Sequence, residues 1–431
     1  MLILLPLLIP AFSVQQVDPE VAAWRQNLDG TKGQSPAANI HAVVSQIDAD
    51  VQRVRFNNNN VYVESTGIPS HPIGPWSQNP NSAADKDWTF RIKKNPTPAT
   101  NHTDVPLGPV GVAVNGVALF SALDARSYRD RNVWHQQAIY FEGQSMDVGL
   151  GHPAPNSTYH YHAAPELLLA QSGDNPQYHS PIIAFAFDGY PIYGPYGFAS
   201  SNGTGGVVRM EPSFRTRNIT VRDSLPDGTQ LPPPDHGPSV SSQYPLGCYA
   251  EDYEFVPGIG HLDEHNGRDC LTPEFPSGTY AYFMTIDSSG EPVYPFILGP
   301  TYYGTLDTAN TGPGGGHVNV PSGASDHDPF SIYLNDFDAG GTGRIAVGNA
   351  TPGGNFLLGY SFQGMGPIST AYGSVALTPP IRSFGPFAAD NTGSFAMTVS
   401  VHSSLQGRTL YGQGYDVTAS LLSDPVRVRV R

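Results

Sequence analysis

Two histidines alternate with two tyrosines in the stretch STYHYHAAP, residues 157–165. In a β-strand, residues two positions apart project from the same face. His160 and His162 would therefore point to one side, and Tyr159 and Tyr161 to the other. Neutral imidazole is the commonest protein ligand for zinc, copper, iron and nickel. The spacing predicts that both imidazoles share one transition metal ion. The alternative interpretation is a pair of hydrogen-bonded histidines that line a polar groove.

A second group of ionisable residues lies in GIGHLDEHNGRDC. His261, Glu264 and His265 have the H-x-x-E-H spacing of one group of metallopeptidases, whose chemistry requires both histidines on one helix. The glycines in the motif and the proline before it predict a loop, so a peptidase is disfavoured. Asp263 and Glu264 remain candidates as metal ligands or as hydrogen-bond partners of histidine ligands.

A third group, NDFDAGGTG, places Asn335, Asp336 and Asp338 ahead of Gly340 and Gly341. Oxygen ligands at such spacing can bind calcium. The stretch lacks the distal glutamate of an EF-hand loop, so an ordinary turn is the preferred interpretation. Calcium in the C-terminal domain is the alternative.

The composition limits the fold class and the partners. The chain has 431 residues, of which 47 are glycine and 41 proline, and only 14% are charged. This composition is typical of a mainly β protein with many turns rather than a coiled coil or a helical bundle. The formal net charge of −15 disfavours nucleic-acid binding, which requires a basic surface.

The N-terminus and the cysteines bear on where the protein acts. Residues 1–13 are apolar, too short to span a bilayer, and end in Ala-Phe-Ser, which indicates a secretory signal peptide; a buried N-terminal strand is the alternative. No later segment is apolar enough for a membrane helix. Export to the cell envelope or medium would favour a disulfide between Cys248 and Cys270. Two buried free thiols, or two thiolates on a metal, are the alternatives.

Apolar periodicity and turn residues locate the main elements. The stretch ANIHAVVSQIDADVQRV, residues 38–54, has apolar residues at steps of three and four and predicts one short N-terminal helix. Asn-Gly at 115–116 and Asp-Gly at 188–189 each lie between short apolar runs, which is the strongest short signal for a β-hairpin. Two similar hairpins in one chain indicate a duplicated unit.

The C-terminal part of the chain forms a separate prediction. Residues 305–325 are rich in glycine and predict a linker. Apolar runs at strand spacing follow, and the last places Val426, Val428 and Val430 on one face. We expect a C-terminal β-sandwich over residues 326–431.

Several motifs, in order, resemble the YHYH-domain family of secreted proteins. They are YFEGQSMDVGLGHPAPNSTYHYHAAP, IIAFAFDGYPIYGP and HLDEHNGRDCLTPEFPSGTYAYFMTID with the following PVYPFILGPTYYG. The resemblance implies a YHYH domain over residues 101–304. Separately, we expect residues 14–100 to pack on this domain as an N-terminal segment. The stretch SLQGRTLYGQGYDVTASLLSDPVRVRV is similar to sandwich domains appended to secreted bacterial proteins.

The resemblance adds metal binding by His160 and His162, together with His152. Asp188 matches the D-G-x-P-I-Y-G motif of the family, and we expect it to shape the hairpin turn. The family motif has a variable position at His265, which favours Asp263 and Glu264 over this histidine.

Three functions follow from these observations. The first is binding of copper or zinc, with the third ligand from His152, His179 or the loop 261–265. The second is adhesion to, or binding of, extracellular polysaccharide or protein without catalysis. The third is a metal-dependent hydrolase or oxidase, which needs an open coordination position and an acid/base such as Asp188 or Glu264.

Overall fold

The computed structural model describes residues 18–312 and 314–431, and these are mainly β-structure with short helices. The predicted fold class is therefore confirmed. The predicted signal peptide, residues 1–13, lies outside the described residues. Within the described residues, no helix has the length and apolar character needed to cross a bilayer.

The described helices are short. The α-helices are α1 Pro19–Ala22, α2 Ala38–Val44, α3 Ala138–Glu142 and α4 Glu166–Gln171. Single 3₁₀ turns cover Tyr128–Asp130, Gly143–Ser145, Pro233–Asp235, Ala250–Asp252, Thr308–Asn310 and Ser403–Leu405.

The predicted N-terminal helix is present as α2 but is shorter than the apolar pattern. Asp50 has a positive φ of 62°, which ends any helical path, and Val51 then pairs with Ser65 in a sheet. Val44 and Val51 are both buried in the same core. The apolar spacing of three and four residues continues past the end of α2 because α2 and the following strand pack on the same apolar core.

The strands of the N-terminal three quarters of the chain are short. In chain order they are β1 Val51–Phe56, β2 Asn60–Ser65, β3 Trp88–Lys93, β4 Pro109–Ala113, β5 Ala118–Phe120, β6 Leu123–Ser127, β7 His135–Gln137, β8 Gly151–Pro153, β9 Tyr159–Tyr161, β10 Ile182–Ala186, β11 Pro191–Tyr193, β12 Tyr196–Phe198, β13 Val207–Arg209, β14 Phe214–Thr216, β15 Tyr253–Phe255, β16 Gly267–Cys270 and β17 Thr279–Phe283.

The strands of the C-terminal region form a second set. They are β18 Ser325–Asp326, β19 Ser331–Asn335, β20 Thr342–Gly348, β21 Asn355–Ser361, β22 Pro367–Thr370, β23 Gly373–Ala376, β24 Arg382–Ala388, β25 Phe395–Ser400, β26 Thr409–Asp416, β27 Leu421–Leu422 and β28 Val426–Arg429.

One sheet organises the central domain. Its described strands have the order β16-β17-β11-β10-β4-β5-β9-β8. Both predicted hairpins are confirmed: β4 pairs with β5 around Asn115-Gly116, and β10 pairs with β11 around Asp188-Gly189. A second sheet, β18-β1-β2-β3, shares the same apolar core.

The central sheet has an internal two-fold likeness. We call β4, β5, β8 and β9 the first unit, and β10, β11, β16 and β17 the second unit. In each unit the hairpin is followed by a strand parallel to its second arm, and a further strand pairs antiparallel with that one. The hairpins meet as antiparallel β4 and β10.

Equivalent backbone hydrogen bonds support this likeness at atomic level. Val114 N donates to Ile183 O (2.8 Å), and Phe187 N donates to Val110 O (3.1 Å). These bonds join matched positions of the two hairpins, so the predicted duplicated unit has a structural counterpart.

Two sheets pack face to face in the C-terminal region, with orders β19-β20-β25 and β24-β21-β26-β27; β28 also pairs with β26. Residues of both sheets, including Ile332, Val347 and Phe356, form one separate apolar core. This arrangement is a β-sandwich.

The acidic turn that could bind calcium faces the rest of the protein. Asn335 accepts a hydrogen bond from Arg25, and Asp336 accepts from Gln34 and Gln171 at 3.2 and 3.4 Å. Asp338 pairs with Arg431. The oxygens of Asn335 and Asp336 therefore hold the sandwich against residues of the N-terminal region and α4, whereas that of Asp338 acts within the C-terminal region.

The predicted disulfide is wrong. Cys248 and Cys270 are both buried and unbonded. Cys248 lies in a small cluster with Trp134 and Tyr249, whereas Cys270 belongs to β16 in the main core. The intervening chain carries the two thiols into different clusters, and the structure matches the alternative of two free buried thiols.

Candidate metal centre

Strand register brings three histidines together. β8 pairs antiparallel with β9 so that His152 lies opposite His160. His162 follows on the same face, and its Nε2 is 3.0 Å from His160 Nε2. Ligand atoms of the three histidines all lie within 4.8 Å of one another. The prediction that His160 and His162 project together is confirmed, and His152 joins them.

The other ring nitrogens of His160 and His162 fix the tautomers. His160 Nδ1 is 3.0 Å from the carbonyl oxygen of Thr158, and His162 Nδ1 is 2.7 Å from that of Ser121. A carbonyl oxygen only accepts, so both Nδ1 atoms carry hydrogen. Both Nε2 atoms then present lone pairs to each other.

His160 and His162 make three close contacts: His160 Nδ1 with the Thr158 carbonyl, His162 Nδ1 with the Ser121 carbonyl, and Nε2 with Nε2. Each contact is favourable only when a hydrogen or another cation lies between the two atoms. Two neutral imidazoles supply only two hydrogens, so no assignment of tautomers satisfies all three contacts. An additional proton or a metal ion between the Nε2 atoms would complete the arrangement.

A serine fixes the tautomer of His152 in the same way. The Ser145 hydroxyl donates to the Glu142 carbonyl at 2.8 Å, so its oxygen accepts from His152 Nδ1 at 2.8 Å. His152 Nε2 thus carries a lone pair as well. Three lone pairs converge on one small volume.

Burial keeps these imidazoles neutral. Burial lowers the pKa of His152 to about 4 and that of His162 to about 3. The pKa of His160 lies well below its ordinary value because of burial, with smaller effects of His162 and His152. An additional proton is disfavoured near neutral pH, whereas neutral imidazole is the form that binds metals.

The residues present fit a transition metal ion. Two imidazole nitrogens bound to one tetrahedral ion at about 2.05 Å would be roughly 3.3 Å apart, close to the observed separation of 3.0 Å. Each ring also donates its other hydrogen to an oxygen, the arrangement that orients metal-binding histidines in proteins.

The two tyrosines occupy the opposite face of β9, as predicted. Tyr159 donates to the Asp147 carboxylate (3.0 and 3.1 Å). The Tyr161 hydroxyl contacts His71 Nε2 at 2.6 Å and accepts from Asn115 at 3.2 Å. Both rings are fully buried, so they anchor the strand from the side away from the histidines.

Glu142 is a member of the site that the sequence analysis missed. It is the last residue of α3, and its Oε2 is 3.4 Å from His162 Nε2 and 3.8 Å from His152 Nε2. Burial raises the pKa of Glu142 to about 7, and Asp124 adds to the shift. No metal-binding motif contains this glutamate, so only its place beside the histidines identifies it.

The triad opens into a cleft. The cleft has an empty volume of about 1370 Å³, part of it open to solvent, and Phe120, Asp124 and Arg126 are among its lining residues. Phe120 stacks on His160 with ring centres 3.8 Å apart. The nitrogens are therefore reachable from solvent although the rings themselves are buried.

The structure does not bring His179 to this site. Its ring contacts Tyr193, Phe198 and Phe283, beside β11 and β17. Those strands lie in the opposite half of the central sheet from β8 and β9. His179 therefore belongs to the second unit.

Asp188 has the structural role expected for the hairpin turn. It accepts from Tyr190 N (3.2 Å), Gly304 N (2.8 Å) and the Tyr282 hydroxyl (2.6 Å). It is fully buried, and burial raises its pKa. These bonds tie the turn to β17 and to the chain after it.

The loop 261–265 is likewise part of the second unit. His261 accepts from Glu211 N, and His265 Nδ1 lies near the Thr301 hydroxyl. Asp263 accepts from the Tyr280 hydroxyl at 2.9 Å, and Glu264 is exposed. The segment is a loop, as predicted, and the structure places none of these residues with the triad.

Comparison with known proteins adds one finding. Residues 89–294 match the model of a family described as "YHYH protein", so this part of the chain is similar to that family. The match covers the central sheet and the triad and does not extend to the C-terminal sandwich. No curated protein and no solved structure is similar enough to match the chain.

Proposed function

We propose that this protein binds a copper or zinc ion through His152, His160 and His162 of its YHYH domain. One observation carries the proposal: three buried Nε2 lone pairs converge, and the close His160–His162 contact lacks a hydrogen. A cation between the nitrogens removes this repulsion, and burial makes a metal ion a better candidate than a proton.

The donor set favours a borderline metal. Imidazole suits zinc, copper, iron and nickel, whereas magnesium and calcium prefer oxygen ligands. Neither cysteine belongs to the cluster of potential ligands found among the described residues, so thiolate chemistry is not part of this site. Copper and zinc are the two ions that the proposal names.

The test is metal content and affinity of protein purified without a histidine tag. We expect close to one equivalent of copper or zinc by mass spectrometry. We expect none in the His160→Ala/His162→Ala variant, whose circular dichroism should match that of the parent.

A matched control removes two histidines elsewhere. His261 and His402 are exposed, so His261→Ala/His402→Ala should retain the metal. A parent protein that stays metal-free after dialysis against copper and zinc would overturn the proposal.

A metal-dependent hydrolase or oxidase is a second candidate, and the cleft favours it. A metal held only for structure is usually enclosed by four protein ligands, whereas a catalytic metal keeps an accessible position. The open cleft beside the triad would give substrate such access. Chromogenic ester and phenol substrates, with and without chelator, would test the two reaction classes.

Adhesion to polysaccharide is the non-catalytic alternative. Tyr372 and Phe384 of the sandwich expose 51% and 44% of their surface, and exposed rings can stack on sugars. Polysaccharide binding that survives chelator but is lost in Tyr372→Ala/Phe384→Ala would favour this role.

Secretion or location in the cell envelope is part of the proposal. It rests on the apolar sequence of residues 1–13. N-terminal sequencing of protein from the medium or envelope should show cleavage after Ser13; recovery of the intact N-terminus in the cytoplasm would contradict it.

A further inference from the structure

The Glu142 carboxylate faces nitrogens that cannot donate to it. Its Oε2 lies 3.4 Å from His162 Nε2 and 3.8 Å from His152 Nε2, and both nitrogens carry lone pairs. With Glu142 ionised, the contact is another meeting of acceptors, like that between His160 and His162; the single proton of the neutral acid could serve only one of the two contacts. A cation placed among these atoms would make all of the contacts favourable.

No hydrogen-bond donor accounts for this placement, and the positive charge of Arg126 across the cleft only lowers the pKa of Glu142 without forming an ion pair with it. Among the described residues, none donates a hydrogen bond to the Glu142 carboxylate, while its backbone carbonyl accepts from Ser145. The same Ser145 hydroxyl oxygen accepts from His152. Ser145 thus links the backbone of Glu142 to the ring of His152, which holds the end of α3 beside the triad.

The carboxylate also differs from the imidazoles in exposure. The side chains of His152 and His162 are 5% and 2% exposed, whereas that of Glu142 is 30% exposed. Glu142 is therefore the member of the group that borders the cleft. A ligand here would be the one that incoming molecules meet first.

The second unit supports a shared role for the four groups. Asp147 of the first unit matches Asp263 of the second, and the position five residues before Asp263 is Gly258. The second unit has no carboxylate at the position of Glu142. At the positions that match the triad it has Arg268, Ala281 and Phe283.

We propose that Glu142 is the fourth ligand of the metal site, which gives three imidazoles and one carboxylate with a remaining position that opens to the cleft. This inference rests on the proposed metal binding. It makes the site a centre at which a small anion or a substrate oxygen can bind the ion.

The experiment compares cobalt(II) binding to the wild type, Glu142→Gln and Glu166→Gln by equilibrium dialysis and visible absorption. Glu166 is an exposed glutamate in the first turn of α4 and serves as the matched control. We expect Glu142→Gln to weaken cobalt binding by about 10- to 100-fold, a range typical for loss of one polar partner at a metal site, and to shift the d–d bands. Glu166→Gln should leave affinity and spectrum unchanged.

A second measurement does not depend on a variant. Sodium azide added to copper(II)-loaded wild type should produce a saturable charge-transfer band, because one position faces the cleft. No spectral change up to high azide would overturn the open position.

The outcomes separate the two proposals. If the wild type binds cobalt or copper but Glu142→Gln matches it in affinity and spectrum, the ligand role of Glu142 is overturned and metal binding by the histidines stands. If the wild type binds none of cobalt, copper and zinc, the proposed function fails, and the role of Glu142 fails with it.

Discussion

The two units of the central sheet have one framework and differ at the positions that matter for metal binding. In the first, Tyr159 donates to Asp147; in the second, Tyr280 donates to Asp263. The next tyrosine on each strand bonds to the residue that starts its hairpin turn: Tyr161 to Asn115 and Tyr282 to Asp188.

The loop before each outer strand is matched as well. Asp147 N bonds to Gly151 O (2.9 Å), and Asp263 N bonds to Gly267 O (2.8 Å). A side chain at either glycine would overlap the hydroxyl of the facing tyrosine, so both positions require glycine.

The histidine face is where the units differ. Strand register matches His152 with Arg268 and His160 with Ala281, and Phe283 takes the place of His162. Arg268 lies over the Phe283 ring at 5.6 Å, and this ring stacks on Tyr193. In the second unit, packed aromatic side chains occupy the space that is an open cleft in the first unit.

The comparison separates two roles within one short motif. The tyrosines occur in both units and hold their strands in place, so they belong to the fold. The three histidines of the triad occur in one unit only, so the fold does not require them. Their unpaired Nε2 lone pairs reduce stability, and a functional role would explain why they are present.

The largest expected effect comes from converting the first unit to the second. The variant His152→Arg/His160→Ala/His162→Phe should lose the metal entirely yet fold, since the second unit already accommodates these residues. Metal added at about a thousandfold excess over Kd should stabilise the wild type by about 4 kcal/mol and leave the variant unchanged. Thermal unfolding with and without zinc checks this, and an equal stabilisation of both proteins would contradict it.

The reverse exchange should have a smaller effect. Arg268→His/Ala281→His/Phe283→His adds three imidazoles to the second unit, whose framework is the same. We expect a second ion with affinity about 10- to 100-fold weaker than the first, because no carboxylate equivalent to Glu142 is present. Calorimetric titration would show the second step. Stoichiometry unchanged at one ion would mean that the framework alone does not place the ligands.

Removal of the shared aspartates should destabilise both units, the first more. Asp147 also accepts from Gly74 N (2.7 Å) and Trp76 Nε1 (3.0 Å), whereas Asp263 accepts mainly from its own loop and Tyr280. At roughly 1–3 kcal/mol for each buried donor left unpaired, we expect a loss of about 4 kcal/mol for Asp147→Ala and about 3 kcal/mol for Asp263→Ala. Urea unfolding measures both.

The exposed Asp328 provides the control for this pair. Asp328→Ala should change the free energy of unfolding by less than about 0.5 kcal/mol. Losses as small as this for Asp147→Ala and Asp263→Ala would show that neither carboxylate holds its unit together.

The smallest expected effect is a difference in acid sensitivity. Burial lowers the pKa of His71, the partner of Tyr161, to about 4. The unfolded chain therefore binds more protons than the folded one between about pH 6.5 and 4, so stability falls as the pH drops through this range. The effect is limited to roughly 3 kcal/mol for a shift of this size. Asp188, the partner of Tyr282, has a raised pKa, which acts in the opposite direction.

Hydrogen exchange of metal-free protein at pH 7 and 4.5 would detect this difference. The amide of Tyr161 should lose more protection in acid than that of Tyr282, and His71→Gln should reduce the loss. Equal loss at both amides would argue against His71 as the cause.

Short-range patterns in the sequence predicted a substantial part of this architecture. The i, i+2 spacing of His160 and His162 fixes their common side once the segment is a strand, because alternation is a property of the extended backbone. The Asn-Gly and Asp-Gly pairs predicted both hairpins, although in each turn only the glycine has a positive φ, 78° at Gly116 and 100° at Gly189, a conformation that glycine adopts without strain. The sequence also carries a local mark of the duplication, since Thr-Tyr-His-Tyr at 158–161 and Thr-Tyr-Ala-Tyr at 279–282 lie on the matching strands of the two units.

Only the tertiary structure decided which residues distant in the sequence come into contact. His152 joins the triad through the register of β8 with β9, and Glu142 through the position of α3 beside β6 and β7. The cysteines, which spacing permitted to bond, are carried to separate clusters. Local sequence specifies strand faces and turns because these depend on neighbouring dihedral angles. The partners of a lone pair or a thiol depend on how the whole chain packs, which no local pattern records.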